Sequence, residues 1–235
     1  TDKGDGMKYS KIIVLLIAGC CSLVAMADNH GDKPKALPMA LWSTYEIPVG
    51  AKPSEIEASL VAYLEAEEKR GFNNCAMYKH EFGAPRAFYT TCTFDDIDHF
   101  ARIMDGSPPP PTPEEPQLFG THSDHIVLMT KQGMTSLPKY VVYAATAFSP
   151  SLSHVEMQAK AEEFYSAYDE GFGNCNRYEH GWGPELAFYA TCGFENYGGF
   201  AAGVNKISKI FEQRLSNAKL NIQSHRDDIL VKVMD

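Results

Sequence analysis

Basic side chains are scarce in this sequence. Its 235 residues hold 21 Lys and Arg against 30 Asp and Glu, a formal net charge of −9. Nucleic-acid binding relies on Lys and Arg neutralising phosphates, so this balance argues against it. Long apolar runs are also missing. The one apolar stretch near the N-terminus, Ile12 to Ala18, is too short to span a bilayer comfortably, which takes about 20 residues. Several motifs are absent as well: a Cys-x-x-Cys redox pair, a zinc-ligand spacing, a phosphate-cradling glycine loop, a calcium loop and a Ser-His-Asp order. No haem-ligand motif is visible, and no cofactor is expected.

The N-terminal stretch reads as an address. Residues 1–6 read as lying ahead of an initiator at Met7. Lys8 and Lys11 precede the apolar core, and Ala25-Met26-Ala27 before Asp28 has the A-x-A form of a secretory cleavage site, giving a signal peptide over 7–27. A rival is a lipoprotein signal, since Ile17-Ala18-Gly19-Cys20 resembles a lipobox, but it would leave a short signal and an odd apolar tether. Cleavage after Ala27 leaves 18 basic and 28 acidic side chains, an acidity that serves solubility. The expected location is periplasmic or secreted, with no membrane span in the mature chain.

What the sequence does have is a duplication. Residues 71–94 read GFNNCAMYKHEFGAPRAFYTTCTF and residues 171–194 read GFGNCNRYEHGWGPELAFYATCGF. Gly71, Phe72, Asn74, Cys75, Tyr78, His80, Gly83, Ala87, Phe88, Tyr89, Thr91, Cys92 and Phe94 all recur one hundred positions later without a gap. Fixed-period self-similarity of this kind sets the architecture.

The flanks repeat too. Ser54-x-x-Glu57 and Ser153-x-x-Glu156 have the form of capping boxes, with helices after them and Gly71 and Gly171 as left-handed stops. Strand-like runs precede them, Leu41–Ile47 and Tyr140–Phe148. After each hairpin an apolar stripe predicts a second helix, on Ile97, Phe100, Ala101 and Met104, and on Tyr197, Phe200, Ala201 and Val204. Closing strands are expected over His125–Thr130 and Asp228–Val233. Prolines make 107–116 a loop, and Lys131–Pro138 links the copies. The units are placed at 40–130 and 139–235, each β-α-β-β-α-β, the ferredoxin-like order.

This order, in tandem in an exported chain, resembles the dimeric α+β-barrel superfamily. The resemblance implies an α+β fold in which two ferredoxin-like units form an intrachain pseudo-dimer around a central cavity. It also implies a range of activities: cofactor-independent monooxygenases, cyclases, isomerases, haem enzymes and proteins without known catalysis. Fold alone does not choose among them.

Four cysteines remain after export: Cys75, Cys92, Cys175 and Cys192. An even count in an oxidising compartment favours disulfides, with three connectivities open in principle. If Cys75 faces Cys92 across the hairpin, Tyr78 faces Tyr89 and His80 faces Ala87. Residues directly opposed at a non-hydrogen-bonded pair lie about 4.5 Å apart at Cα, just inside disulfide range. The expected links are Cys75–Cys92 and Cys175–Cys192. A metal site on Cys75, His80 and Cys92 is the alternative, disfavoured because residues five apart on a strand point to opposite faces.

Strand parity then sorts the hairpins. Cys75, Met77, Phe88, Cys92 and Phe94 share a face suited to packing beneath helices. Asn74, Tyr78, His80, Tyr89 and Thr91 share the other, repeated as Asn174, Tyr178, His180, Tyr189 and Thr191. In a barrel this second face lines the cavity, where a few convergent polar groups make a small-ligand site. The plainer reading is that Tyr and Thr stabilise strand pairs. Ala76 against Asn176 is a difference that falls on this face and sets one half apart. His122-x-Asp124 and His225-x-Asp227 form a second matched pair, either a base with its orienter or, more plainly, a strand-entry turn. The expectation is a binder of a small, partly aromatic or apolar molecule in a two-fold pseudosymmetric cavity. An oxygenase, isomerase or cyclase using Tyr and His, without a cofactor, is the alternative. A haem protein of the chlorite-dismutase type is a weaker one.

Overall fold

The computed structural model describes residues 37–83, 86–106, 120–173 and 175–234. The expected signal peptide, the proline-rich 107–116 stretch and Asn174 lie outside the described residues.

The first repeat runs β1 (Met39–Glu46), α1 (Pro53–Arg70), β2 (Cys75–Phe82), β3 (Ala87–Phe94), α2 (Ile97–Gly106) and β4 (His122–Lys131). The second runs β5 (Tyr140–Phe148), α3 (His154–Phe172), β6 (Asn176–Trp182), β7 (Phe188–Phe194), α4 (Tyr197–Ile210), a π-helical turn (Phe211–Leu215) and β8 (Ile222–Met234). Both have the β-α-β-β-α-β order. Within each repeat the strands lie side by side as β4-β1-β3-β2 and β8-β5-β7-β6. Edge strand β2 pairs with β8, and β6 with β4, so one antiparallel eight-stranded barrel closes with no free edge.

The hairpin register is the one that the cysteine spacing predicts. Cys75 opposes Cys92 and Tyr78 opposes Tyr89, and Tyr178 likewise opposes Tyr189. Disulfides join Cys75–Cys92 and Cys175–Cys192, with Cα separations of 4.1 and 4.4 Å. Their sulfurs are committed to each other, which removes the metal alternative. Among the described residues no group of three or more His, Cys, Asp or Glu side chains could hold a metal ion.

Closure divides the apolar interior into separate cores. Met77, Phe88, Phe94 and the first disulfide pack with Ile56, Leu60, Leu64 and Ile103 beneath α1 and α2. Phe188, Phe194 and the second disulfide pack with Phe164, Tyr165 and Tyr168 beneath α3. A third core fills the barrel itself. Arg177, the counterpart of Met77, stands on the helix-facing side, yet it is 5% exposed and ion-paired to Glu162 and Asp169.

Several local expectations are corrected. The Ser153–Glu156 capping box forms, but Ser54–Glu57 does not. Pro53 starts α1 one residue before the serine, leaving Lys52 at the N-cap and Ser54 inside the first turn. Gly71 is the left-handed C-cap of α1, whereas α3 runs through Gly171 and stops at Gly173. On α2 the buried residue is Ile103, while Ile97 and Met104 are about half exposed, so the helix is rotated from the predicted stripe. Tyr197 and Val204 on α4 are likewise exposed. Both His-x-Asp motifs lie within strands and not in turns.

Candidate functional site

Strand pairing assigns each inward position a counterpart in the other half. Trp42 opposes Thr91 and Tyr143 opposes Thr191, so Trp42 and Tyr143 are equivalent. His125 opposes Trp42 and Asp228 opposes Tyr143, which makes His125 and Asp228 equivalent. By the same rule Ser123 matches Arg226, Met129 matches Lys232 and Ala76 matches Asn176.

The sequence-predicted residues distribute as follows. Tyr78, Tyr89, Tyr178 and Tyr189 pack in the barrel core with Trp42, Tyr143, Val127 and Leu230. Thr91 and Thr191 line a cavity in the same core. His80 and His180 share the parity of the inward tyrosines, and each keeps one buried ring nitrogen without a hydrogen-bond partner. Asn74 is corrected. It is exposed ahead of β2, and its carbonyl accepts a hydrogen bond from the Thr93 amide at 3.2 Å. The asparagine that does reach the barrel is Asn176, buried on β6.

The aromatic residues interlock. Trp42 lies 4.6 Å from Tyr178 and 5.4 Å from both Tyr143 and Tyr189, centroid to centroid, in tilted or edge-on contacts. Tyr89 and Tyr143 are 5.7 Å apart. This packing leaves a cavity of about 70 Å³ bordered by Trp42, Tyr89, His125, Tyr143 and Tyr178. That is space for a few waters or a ligand of a few atoms. A porphyrin does not fit the barrel as it stands.

One end of this cavity is closed by the segment joining the repeats. Met134 and Leu137 line it. Asn176 Oδ1 accepts from the amides of Gly133 and Met134, both at 2.9 Å, and Lys232 Nζ donates to the Leu137 carbonyl at 3.0 Å. Both anchors belong to the second half. Their counterparts, Ala76 and Met129, have no hydrogen-bonding side chain.

The other polar groups are unlike across the pseudo-dyad. Asp228 is fully buried, and Tyr89 donates to its Oδ2 at 3.2 Å. Arg226 stands 3.8 Å from Asp228, 3.9 Å from Glu185 and over the Tyr143 ring at 5.7 Å. On the equivalent side Tyr189 turns away and donates to the Glu185 carbonyl at 3.2 Å. His125 then touches Tyr189 only through its ring, 6.4 Å between centroids, and its Nδ1 is buried without a partner. Burial lowers the His125 pKa below its ordinary value, which keeps the imidazole neutral near pH 7. Burial raises the hydroxyl pKa of Tyr89, Tyr143 and Tyr189, so all three remain protonated donors.

Glycine permits this layer. Gly83 and Gly183 have φ of +121° and +132°. A Cβ on Gly83 would meet Asp228 Oδ1 at 2.2 Å, and one on Gly183 would meet His125 Nδ1 at 2.9 Å. The recurring hairpin glycines therefore close over Asp228 in one half and His125 in the other.

Sequence reasoning missed His125, Asp228, Arg226, Trp42, Tyr143 and Asn176 as a set. A signal for two of them was present. The His-x-Asp motifs match at an offset of 103, and one step further brings His125 onto Asp228.

No family model matches the sequence, and no curated protein does. Solved structures do resemble the fold. A proposed monooxygenase from Fusobacterium nucleatum aligns with a TM-score of 0.56 at 10% identity, covering 84% of this chain and 93% of its own. A chlorite dismutase from Candidatus Nitrospira defluvii aligns at 0.49 and 9%, over 83% and 92%. An anthrone oxidase-like protein aligns at 0.48 and 7%, over 83% and 91%. At such identities the likeness is one of fold. The chain folds as an α+β barrel of two ferredoxin-like units, with both halves of the barrel in one polypeptide.

Proposed function

We propose that this is an exported protein that binds one small, partly aromatic molecule inside its barrel. The observation that carries this reading is the buried Asp228–Tyr89 pair among packed aromatic rings, with the part-exposed Arg226 beside Asp228 and the half-buried His125 at the equivalent position. A carboxylate in a small core costs free energy that an apolar residue would not, so a polar task explains its presence better than packing does. Trp42, Tyr143 and Tyr178 supply flat apolar contact, and His125 with Thr91 and Thr191 supplies hydrogen bonds. The present cavity is small, so a ligand of more than a few atoms enters with displacement of the Gly133–Pro138 segment. The two disulfides fit an oxidising compartment. Among the described residues no helix is long and apolar enough to cross a membrane.

Native mass spectrometry of protein taken from its own cell envelope tests this. A single non-covalent adduct, lost on denaturation, is expected. Replacing His80 and His180 with Ala should reduce the adduct more than it lowers stability. A bare polypeptide from every preparation would contradict the reading.

A second reading rests on the His125–Asp228 difference. Two titratable groups in unlike surroundings are what acid–base chemistry requires, so an oxygenase, isomerase or cyclase without a cofactor suits the same interior. Turnover that is lost in both Asp228→Asn and His125→Gln would favour it over binding alone.

A further inference from the structure

Outside the barrel, the two His-x-Asp motifs are equivalent in place and different in what meets them. His122 opposes Tyr45 and His225 opposes Thr146 at matched positions of β1 and β5. In the second half His225 Nε2 lies 3.1 Å from Asp227 Oδ2. The Tyr168 hydroxyl completes that group, donating to the Asp227 oxygens at 2.9 and 3.1 Å and meeting His225 Nε2 at 3.0 Å. The Tyr168 ring is buried, packed against Phe164 at 5.6 Å and Phe172 at 6.5 Å. A phenol from the chain's own helix thus occupies this motif.

The first half has the same motif without the helix phenol; there the Tyr45 ring, from β1, stacks on His122 at 5.7 Å. His122 Nε2 stands 3.4 Å from Asp124 Oδ2, with both side chains about half exposed. The helices align through their bonds to the hairpins: Glu68 Oε1 accepts from the Cys75 amide as Asp169 Oδ1 accepts from the Cys175 amide. That correspondence puts Glu67 where the second half has Tyr168. Glu67 is shorter and turns along its own helix, its two oxygens 2.7 and 2.8 Å from Arg70 Nη1. Beside it is a cavity of about 440 Å³, walled by Leu60, Tyr63, Phe72 and Phe100 and bordered by His122 and Asp124. This is the size and character of a small-ligand site, about 300–1,000 Å³ and mostly apolar with a few polar groups.

We propose that this groove is a second binding site, for a small hydroxyaromatic molecule. Its ring takes the space that the Tyr168 ring takes in the other half, and its hydroxyl donates to Asp124 and meets His122. The chain's own second half supplies the template for the contact. The site is independent of the barrel interior, so either can fail without the other.

Titration of the folded mature chain with 4-fluorophenol, followed by fluorine NMR, tests it. One saturable site is expected, with fluorobenzene binding roughly tenfold more weakly for want of the hydroxyl. Asp124→Asn should weaken 4-fluorophenol by a similar factor. Tyr168→Ala should open the matching pocket at His225 and Asp227 and raise the stoichiometry from one to two. Absence of saturable binding to the wild type would overturn the proposal. So would equal affinity for fluorobenzene, or unchanged affinity in Asp124→Asn. The wild-type and Asp124→Asn titrations decide the matter even if Tyr168→Ala does not fold.

Discussion

The hairpins and the outer strands of this barrel have diverged to different degrees. Strands β2–β3 and β6–β7 carry the same inward residues, Tyr78, His80, Tyr89 and Thr91 against Tyr178, His180, Tyr189 and Thr191, with Ala76 against Asn176 the exception among the fully buried positions. Strands β1 and β4 against β5 and β8 differ at most inward positions: Trp42 against Tyr143, His125 against Asp228, Ser123 against Arg226, Met129 against Lys232. The hairpins hold the disulfides and form the seams with β8 and β4 on which closure depends. Strands β4 and β8 share those seams but hold no disulfide, and with β1 and β5 their inward positions carry the polar individuality. A duplicated barrel can thus keep its frame two-fold while giving its interior a single direction. A homodimer cannot do this, because every substitution appears twice.

If the hairpins are equal structural parts, removing either disulfide should lower stability equally. Cys75→Ala with Cys92→Ala, and Cys175→Ala with Cys192→Ala, should each lose about 3 kcal/mol for closing loops of similar length. Urea unfolding checks this, and a clearly unequal pair of losses would break the comparison. The tyrosines sharpen it from the other side. Tyr89→Phe leaves the buried Asp228 short of a donor and should lose about 1–3 kcal/mol. Tyr189→Phe, whose hydroxyl reaches only a backbone carbonyl, should lose less than 1 kcal/mol or so. Thermal unfolding of the two variants should show that order.

Two smaller effects extend the contrast. Ser153→Ala removes a formed capping box and should lower stability by about 1 kcal/mol. Ser54→Ala removes a side chain that caps nothing and should stay within about 0.5 kcal/mol of wild type. The smallest effect concerns pH. His125 has a folded pKa below its ordinary 6.5, so as pH falls below 6.5 the unfolded chain takes up the proton first and stability is lost. The loss stops once pH passes below the folded pKa. His125→Gln should flatten this part of the stability profile relative to wild type, while above pH 6.5 the two curves should run parallel.

The fold was legible because the repeat is gapless where it matters most. Thirteen identities through the hairpins fixed register, disulfide pairing and the inward parity of the tyrosines. The helices were less legible. One proline set the start of α1 ahead of its expected cap, and α2 is rotated so that Ile103 is buried in place of Ile97 and Met104. The site was half legible. Its hairpin residues repeat and announce themselves, whereas His125 and Asp228 are chemically unlike, so a search for identities passes over the pair that gives the interior its direction. Asn74 misled for the opposite reason: it recurs as Asn174, but it precedes β2 and is exposed.

The most direct test of the central claim is a crystal structure of the mature protein purified from its native compartment without added ligand. The account predicts density for one small molecule in the barrel, against Trp42 and Tyr143 and within hydrogen-bond reach of His125, with Asp228 still bonded to Tyr89. An interior holding only its own side chains and water, or two equivalent ligands related by the pseudo-dyad, would contradict it.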